Sequence, residues 1–215
     1  ESLNRSTVSR RISSILDDIQ RLTNALYAMN TTDLQRYPDN YEVLSIDAAL
    51  RAEGIACRLR HLIYASTTTP KAEYLTSAAN TLGIQVRCKD GIFEVTLPGL
   101  LPKRKMWQSG EYLLEPLGAA LTQYARGHPL PRFQHCLIAF SHIYDQELPE
   151  RRIRDYDNLE LKQIQDVIAS FVLTDDTGAL CDIYHTTELD AVDCTRISIM
   201  EPSRFPMWLA EKETL

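Results

Sequence analysis

The amino-acid sequence predicts an α+β fold, in which a small mixed β-sheet is covered by two helices and preceded by a helical hairpin region. Two observations support this prediction. Apolar residues recur at helical spacing through the first third of the chain, and later they form short runs of strand length that alternate with two amphipathic stretches. The resulting order of strands, helix, strand, helix and strands is typical of α+β domains. We therefore expect two parts, a helical region over residues 1–83 and an α+β domain over residues 84–215.

The first part is predicted to contain two long helices and one short helix. From Ser6 to Met29 apolar residues are spaced by four and three, which is the pattern of a helix that packs on another helix. These residues are Val8, Ile12, Ile15, Ile19, Leu22 and Leu26. A second amphipathic stretch runs from about Tyr41 to Tyr64 after a short polar break, so we expect the two helices to pack antiparallel. A short helix from Pro70 to Gly83 follows. We expect this part to serve dimerisation or partner binding, with some of the first apolar seam left over for a second subunit.

The second part opens with two short strands around the Asp90-Gly91 turn, within residues 84–97. The later elements are expected to be a helix starting near Ser109, a strand over Phe133–Tyr144, a helix over about Asn158–Phe171, and strands over Leu180–His185 and Thr195–Met200. Because the third strand is apolar on both faces, it suits a position covered on both sides. We therefore expect Phe133–Tyr144 to be central in the sheet.

The composition argues against several classes of protein. The chain has 215 residues, of which 44% are apolar and 24% charged, as in ordinary globular proteins. No apolar run reaches the roughly 18 residues that a membrane-spanning helix needs, and the first residues lack the layout of a signal peptide. The five cysteines are scattered and include no C-x-x-C pair, so neither a disulfide framework nor a zinc cluster is expected. These features predict a cytoplasmic protein with reduced thiols and no membrane contact.

The charge distribution weighs against nucleic-acid binding. The formal net charge is −6. After Gly91 the chain has 12 of its 23 Lys and Arg residues but 19 of its 29 Asp and Glu residues. Affinity for DNA comes mainly from clustered basic residues that neutralise phosphates. A carboxylate metal site would concentrate acidic residues in the same way, and bound cations would offset part of that charge.

Two acidic pairs flank the predicted helix over Asn158–Phe171. Asp155 and Asp157 are separated by one residue, and extended backbone would place both carboxylates on one side of the chain. Asp175-Asp176 follow the helix, and the loop up to Gly178 would allow the chain to fold back. Three convergent carboxylates suit Mg²⁺ or Mn²⁺, which activates water in phosphodiester cleavage. Structural roles remain open for the same residues, since Asp157 could form a capping box with a Glu three positions later and Asp175-Asp176 suit a turn.

The surroundings of these carboxylates resemble the active-site segment of RusA-type Holliday-junction resolvases. In that family an arginine-rich run precedes a D-x-D-N-L motif, a helix with a lysine follows, and a D-D pair precedes the next strand. Here the corresponding residues are Arg151, Arg152 and Arg154, then Asp155-Tyr-Asp157-Asn158-Leu159, then Lys162, then Asp175-Asp176. The segment Phe93-Glu-Val-Thr-Leu-Pro98 is similar to the family's opening strand and proline-rich loop, so the resemblance covers roughly residues 92–201.

The resemblance implies a magnesium-dependent endonuclease that acts on four-way or other branched DNA as a homodimer, in DNA recombination and repair. By that resemblance Asp155, Asp157 and Asp176 would hold the metal, and Lys162 would stabilise charge at the scissile phosphate. Arg151, Arg152 and Arg154 would bind phosphates, as guanidinium groups do well. The loop residues Lys103, Arg104 and Lys105 are a further candidate contact with DNA.

One departure from the family pattern keeps a second hypothesis open. The family lysine is four residues after the second Asp of the motif, whereas Lys162 is five residues after Asp157. On a regular helix one residue corresponds to a rotation of about 100°, which would turn the ammonium group away from the metal. The alternative is therefore a catalytically inactive RusA-like domain that serves as a DNA-binding, protein-binding or assembly module.

Overall fold

The structure is a computed structural model that describes residues 5–101, 109–148 and 153–213. The chain divides into two compact units, Glu1–Glu73 and Tyr74–Leu215. Within the described ranges there are six α-helices and one mixed sheet of five strands, so the predicted α+β class is confirmed. None of the helices in these ranges is both long enough and apolar enough to cross a membrane.

The first unit is built on a pair of long helices, α1 (Arg5–Thr31) and α2 (Pro38–Ser66). Each is slightly longer than the sequence predicts. Arg58, late in α2, forms an ion pair with Asp18 and donates a hydrogen bond to Ser14 Oγ at 3.3 Å, both in the first half of α1. Because only residues 32–37 join the two helices, these contacts between the later part of α2 and the earlier part of α1 show that the helices run antiparallel. The residues buried in them are Ile15 and Ala25 of α1 and Ala48, Ile55 and Arg60 of α2.

The third helix, α3 (Lys71–Leu82), begins just before the division between the units. It ends at Gly83, whose φ of +78° is easily adopted only by glycine. Ala79 belongs to the core of the second unit. Most of α3 is therefore part of the α+β unit.

The sheet of the second unit has the strand order β1-β2-β5-β3-β4. Its strands are β1 (Gln85–Lys89), β2 (Ile92–Pro98), β3 (Cys136–Asp145), β4 (Cys181–Asp190) and β5 (Cys194–Met200). All neighbouring pairs are antiparallel except β3 and β4, which are parallel. The turn between β1 and β2 consists of Asp90 and Gly91, with φ values of 51° and 76°. Two successive positive φ angles are what a tight hairpin turn requires, so the predicted hairpin is confirmed.

The strand β3 pairs along both of its edges, with β5 on one side and β4 on the other. Its first nine residues are buried. Alternate residues point to opposite faces of the sheet, so Ile138 and Phe140 enter one core and Leu137 and Ala139 enter another. The strand is therefore covered on both faces as predicted, but it begins at Cys136 and lies one position from the edge, and the central strand of the sheet is β5.

Helices cover the two faces of the sheet unequally. The predicted pair, α4 (Ser109–Gly127) and α5 (Lys162–Val172), packs on the face that carries Phe140. A helix that the sequence analysis does not predict, α6 (Phe205–Glu213), contributes Trp208 to the smaller core on the opposite face. Around β3 the unit thus has three layers, with α4 and α5 on one face of the sheet and α6 on the other. The acidic segments before and after α5 lie on the side of the larger core.

Candidate functional site

The D-Y-D segment, which is Asp155-Tyr156-Asp157, is fixed to the sheet by its middle residue. The Tyr156 hydroxyl lies 2.9 Å from Thr187 Oγ1 of β4. The Tyr156 ring packs against His142 of β3 and His185 of β4, with ring centroids 5.1 and 4.8 Å away. Asp155 and Asp157, on either side of this anchor, are exposed. The anchored tyrosine therefore presents one carboxylate before it and one after it to solvent.

The backbone of this segment differs from the extended form that the sequence analysis expects. Asp155 is extended, with φ −64° and ψ 137°, but Tyr156–Asn158 form one turn of 3-10 helix. Leu159, which follows, is 4% exposed and belongs to the larger core. Because Tyr156 and Leu159 are both held by tertiary packing, the chain bends between them and does not continue as a strand. The two carboxylates therefore do not lie on one side of an extended chain.

The helix after this segment begins at Lys162, four residues later than predicted. The Glu160 carboxylate accepts a hydrogen bond from the Gln163 backbone N–H at 3.4 Å, which satisfies one of the free donors at the start of α5. The predicted capping box with Asp157 is wrong, because Asp157 lies in the 3-10 turn and not at the start of α5. The structure thus removes the structural explanation for Asp157 that the sequence leaves open.

The loop after α5 is tied to the residue that leads into β3. The Phe133 backbone N–H donates to Val172 O at 2.8 Å, and the Thr174 N–H donates to Phe133 O at 2.9 Å. Beyond these bonds the chain folds back along α5, and Asp176 Oδ2 comes within 3.7 Å of Lys162 Nζ. Two of the residues singled out from the sequence, Lys162 at the start of α5 and Asp176 beyond its end, are therefore neighbours.

Lys162 is shared between two carboxylates. Its ammonium group donates a hydrogen bond to Asp166 Oδ1 at 2.9 Å, one turn later in α5, and also faces Asp176. The hydrogen bond and charge of Asp166, and then the charge of Asp176, raise the pKa of Lys162. The side chain is 74% exposed, so these ion pairs contribute little to folding stability. Lys162 is thus a fixed positive charge at the start of α5 and beside Asp176.

Asp176 also lines an open surface depression of about 340 Å³. Its charged lining residues are Arg132, Asp166, Asp175 and Asp176. Three carboxylates and one guanidinium group give the depression a net negative lining, which suits a cation better than an anion. Asp155 and Asp157 are not among its lining residues.

The carboxylates suit a divalent metal in their chemistry but not yet in their arrangement. Asp155, Asp157 and Asp176 offer the hard oxygen atoms that Mg²⁺ and Mn²⁺ prefer. Over residues 5–101, 109–148 and 153–213, however, no group of three or more His, Cys, Asp or Glu side chains is close enough to hold one ion. The structure therefore pairs Asp176 with Lys162 and does not bring Asp155 and Asp157 together with Asp176 as a ready-made set of ligands.

Of the basic residues singled out from the sequence, Arg154 has structural contacts. Its guanidinium Nη1 donates to Leu101 O at 3.4 Å, and its backbone N–H donates to the Tyr144 hydroxyl at 3.1 Å. These bonds hold the start of the D-Y-D segment against β3 and against Leu101, which follows β2. The other basic residues named for DNA binding, which are Arg151, Arg152, Lys103, Arg104 and Lys105, lie outside the described residues.

An imidazole pair that is not predicted from the sequence lies beneath Tyr156. His142 Nε2 lies 3.2 Å from His185 Nδ1. His142 is completely buried, and within the described part of the chain its Nδ1 atom has no hydrogen-bond partner. Burial, and then the nearby His185, lowers the pKa of His142 to about 4; burial also lowers the pKa of His185. The only sequence signal was that each histidine is in a predicted strand, and the contact depends on the parallel register that pairs Phe140 with His185.

These features define an α+β protein with acidic segments on both sides of α5 and, behind one of them, an imidazole pair in which His142 is buried and His185 is half-buried. Residues 4–215 match a family described as a family of unknown function, DUF6100. Because the match covers nearly the whole chain, the protein belongs to this family. No curated protein matches the sequence.

Proposed function

We propose that the α+β unit is a RusA-like, metal-dependent endonuclease that acts on branched DNA. The observation that carries the proposal is the 3.7 Å contact between Asp176 and Lys162, which joins the two ends of the motif across α5. The displaced position of Lys162 in the sequence is offset by the late start of α5, since Lys162 is the first residue of the helix. The mixed sheet, with the D-Y-D segment after its internal strand β3, supports the finer assignment to a RusA-like fold.

The proposed cofactor is Mg²⁺, with Mn²⁺ as a substitute. Asp155, Asp157 and Asp176 would hold the ion through carboxylate oxygens, and binding would have to draw them together. The Asp155 and Asp157 side chains are exposed and are not held in caps, so a change of their rotamers breaks no side-chain hydrogen bond that the structure describes. When bound, the ion would supply an activated water and stabilise the leaving oxygen of a phosphodiester.

The residues around the carboxylates have complementary roles in this proposal. Lys162 keeps its positive charge well above neutral pH, because Asp166 and Asp176 raise its pKa, and it would contact the phosphate to be cut. Tyr156 would hold the D-Y-D backbone in place through its contacts with the sheet. Arg154, Arg151, Arg152 and the basic loop of Lys103, Arg104 and Lys105 would bind the DNA backbone.

A catalytically inactive RusA-like domain is the second candidate. Specific observations favour it. The Arg154 guanidinium donates a hydrogen bond to Leu101 O, and the Lys162 ammonium is already paired with the carboxylates of Asp166 and Asp176. The described carboxylates also form no group of three around one point. In this candidate the domain binds DNA or another protein without cutting. Under either candidate we propose a cytoplasmic homodimer, and the five free cysteines support the location.

The deciding experiment compares cleavage and metal binding in the same protein. A labelled four-way junction and a linear duplex of the same sequence are incubated with the full chain in Mg²⁺, in Mn²⁺ or in chelator, and melting temperature is measured in parallel. The nuclease proposal expects junction cleavage that is lost in Asp157→Asn, while Asp182→Asn, a matched change at an exposed residue of β4, retains it. If the wild-type protein neither cuts branched DNA nor gains melting temperature from either ion, the nuclease proposal is wrong and the inactive domain stands.

A further inference from the structure

The helix α1 carries two apolar stripes, of which one is buried and the other is left exposed by the residues that the structure describes. Ile15 and Ala25 are buried against the first unit's interior. The other stripe consists of Ile12, Leu16, Ile19 and Leu26, which are 42, 58, 41 and 50% exposed. At about 100° per residue these four positions lie within an arc of about 80° and extend along roughly 21 Å of helix. An aligned row of exposed aliphatic side chains is a mark of an interaction surface and not of a scattered set of surface residues.

We propose that this stripe is the interface with a second copy of the chain, packed antiparallel about a two-fold axis near Ile19. The spacing supports a symmetric partner, because Ile12 is seven residues before Ile19 and Leu26 is seven residues after it. A two-fold axis at Ile19 therefore places Ile12 of each copy near the partner's Leu26. A surface that is complementary to itself in this way is what a two-fold dimer requires.

The charges on α1 favour the antiparallel arrangement over the parallel one. The first third of the helix carries Arg5, Arg10 and Arg11, which a parallel pair would bring together at one end with mutual repulsion. In the antiparallel pair Arg5, which is 14 residues before Ile19, comes level with the partner's Asp33, which is 14 residues after it. Both residues are exposed. The Asp33 carboxylate is held just beyond the end of α1, where it accepts the Gln35 N–H at 2.9 Å. An ion pair at each end of the stripe therefore fits the same register as the apolar contacts.

The inference concerns the helical unit and does not depend on whether the α+β unit is a nuclease. The first test is the mass of the full chain in solution over a range of micromolar concentrations, by light scattering or sedimentation. We expect a dimer for the wild type. Ile19→Glu places two like charges at the two-fold axis and should weaken the dimer by at least about 100-fold. Val43→Glu, a matched change at a 65% exposed position of α2 outside the stripe, should leave it unchanged.

The second test distinguishes the orientation and does not depend on a destabilising charge. In a Cys88→Ser background, which removes the exposed native thiol, single cysteines are introduced in the stripe and treated with a short bifunctional maleimide. We expect Ile19→Cys to form a cross-linked dimer. We expect Ile12→Cys to cross-link only when it is mixed with Leu26→Cys chains. Cross-linking of Ile12→Cys by itself would show a parallel pair, and a monomeric wild type with no cross-link at Ile19→Cys would show no dimer here; either result overturns the proposal.

Discussion

His142 Nε2 and His185 Nδ1 lie 3.2 Å apart in two imidazole rings whose planes differ by only 14°. The ring centroids are 5.5 Å apart, which is too far for face-to-face packing at this angle and fits two rings that meet edge to edge in one plane. In this geometry one ring donates its N–H and the other accepts, so the pair needs an unprotonated nitrogen. Tyr156 packs on both rings, and the D-Y-D segment therefore rests on an imidazole pair that is stable in its neutral form.

This pair predicts a loss of stability in mild acid. Burial lowers the pKa of His142 from its ordinary value of 6.5 to about 4, and unfolding restores the ordinary value. A lowered pKa means that the unfolded chain binds the proton more readily, so the contribution of His142 is fully present above about pH 6.5 and is lost between pH 6.5 and 4. The size of the shift corresponds to a loss on the order of 3 kcal/mol. Urea unfolding at several pH values across this interval measures it.

The control for this prediction is a histidine that is exposed in the same unit. His135→Gln should leave the pH dependence of stability unchanged, since His135 is exposed. His142→Gln should flatten it, at some cost in stability at neutral pH. An equal pH dependence in wild type and His142→Gln would mean that other groups cause the acid sensitivity.

Tyr156 offers a second prediction, which separates its hydroxyl from its ring. Tyr156→Phe loses the 2.9 Å hydrogen bond to Thr187 but keeps the packing on His142 and His185, and should cost about 1 kcal/mol. Tyr156→Ala also loses the ring and should cost about 2 kcal/mol or more. Hydrogen exchange over residues 153–161 should become faster in the alanine variant and change little in the phenylalanine variant. Equal exchange in both variants would show that the ring does not anchor the D-Y-D segment.

The other face of the sheet gives a third prediction, on the charge that α6 brings to it. Lys212 forms an ion pair with Glu188 of β4, donates to Ser141 Oγ, and lies over the Trp208 ring at 4.6 Å. Burial lowers the pKa of Lys212. Removing one partner of a partly buried pair leaves the other unpaired, so Lys212→Met should cost about 1–3 kcal/mol. The double variant Lys212→Met/Glu188→Gln should recover part of this loss.

Trp208 fluorescence, in a Trp107→Phe background, reports the unfolding of this face in both variants, since the chain has two tryptophans. The single variant Glu188→Gln completes the comparison. If the double variant loses as much unfolding free energy as the two single variants lose together, Lys212 and Glu188 are not coupled.

The strands were largely predictable from the sequence because their signals are local. The Asp90-Gly91 turn fixes the register of β1 and β2 through residues that tolerate positive φ, and the doubly apolar β3 requires cover on both faces. The start of α5 was not predictable in the same way. Asn158 and Glu160 are good residues for a helix start, but the packing of Tyr156 and Leu159 holds the chain in another conformation.

The imidazole pair and α6 depend on contacts between residues far apart in the sequence. His142 and His185 meet only because β3 and β4 are parallel neighbours in a particular register. The short α6 lacks a regular apolar repeat. It packs on the sheet through Trp208 and Phe205, whose rings contact Tyr184 of β4. For the candidate site, the sequence identified Asp176 and Lys162 as members of one motif, whereas their 3.7 Å contact depends on how the loop after α5 folds back.

That contact creates a competition that can be measured. Lys162 already offers Asp176 a positive charge at 3.7 Å. An incoming divalent ion must share Asp176 with this ammonium group or displace it. The proposed ligand role of Asp176 therefore predicts that Lys162 opposes metal binding while it assists cleavage, two effects that an ordinary surface ion pair would not have together.

The fourth prediction follows from this competition. Lys162→Met removes the charge but keeps most of the apolar stem, so the affinity for Mg²⁺ should rise, by roughly fivefold at most for a pair this exposed, while junction cleavage should fall. Lys162→Arg keeps the charge and should leave the affinity for Mg²⁺ near that of the wild type. Calorimetric titration with Mg²⁺, together with the rise in melting temperature that binding causes, measures the affinity independently of cleavage. An unchanged affinity in Lys162→Met would remove Asp176 from the proposed ligands, because a carboxylate that binds the ion must respond to the loss of a positive charge beside it.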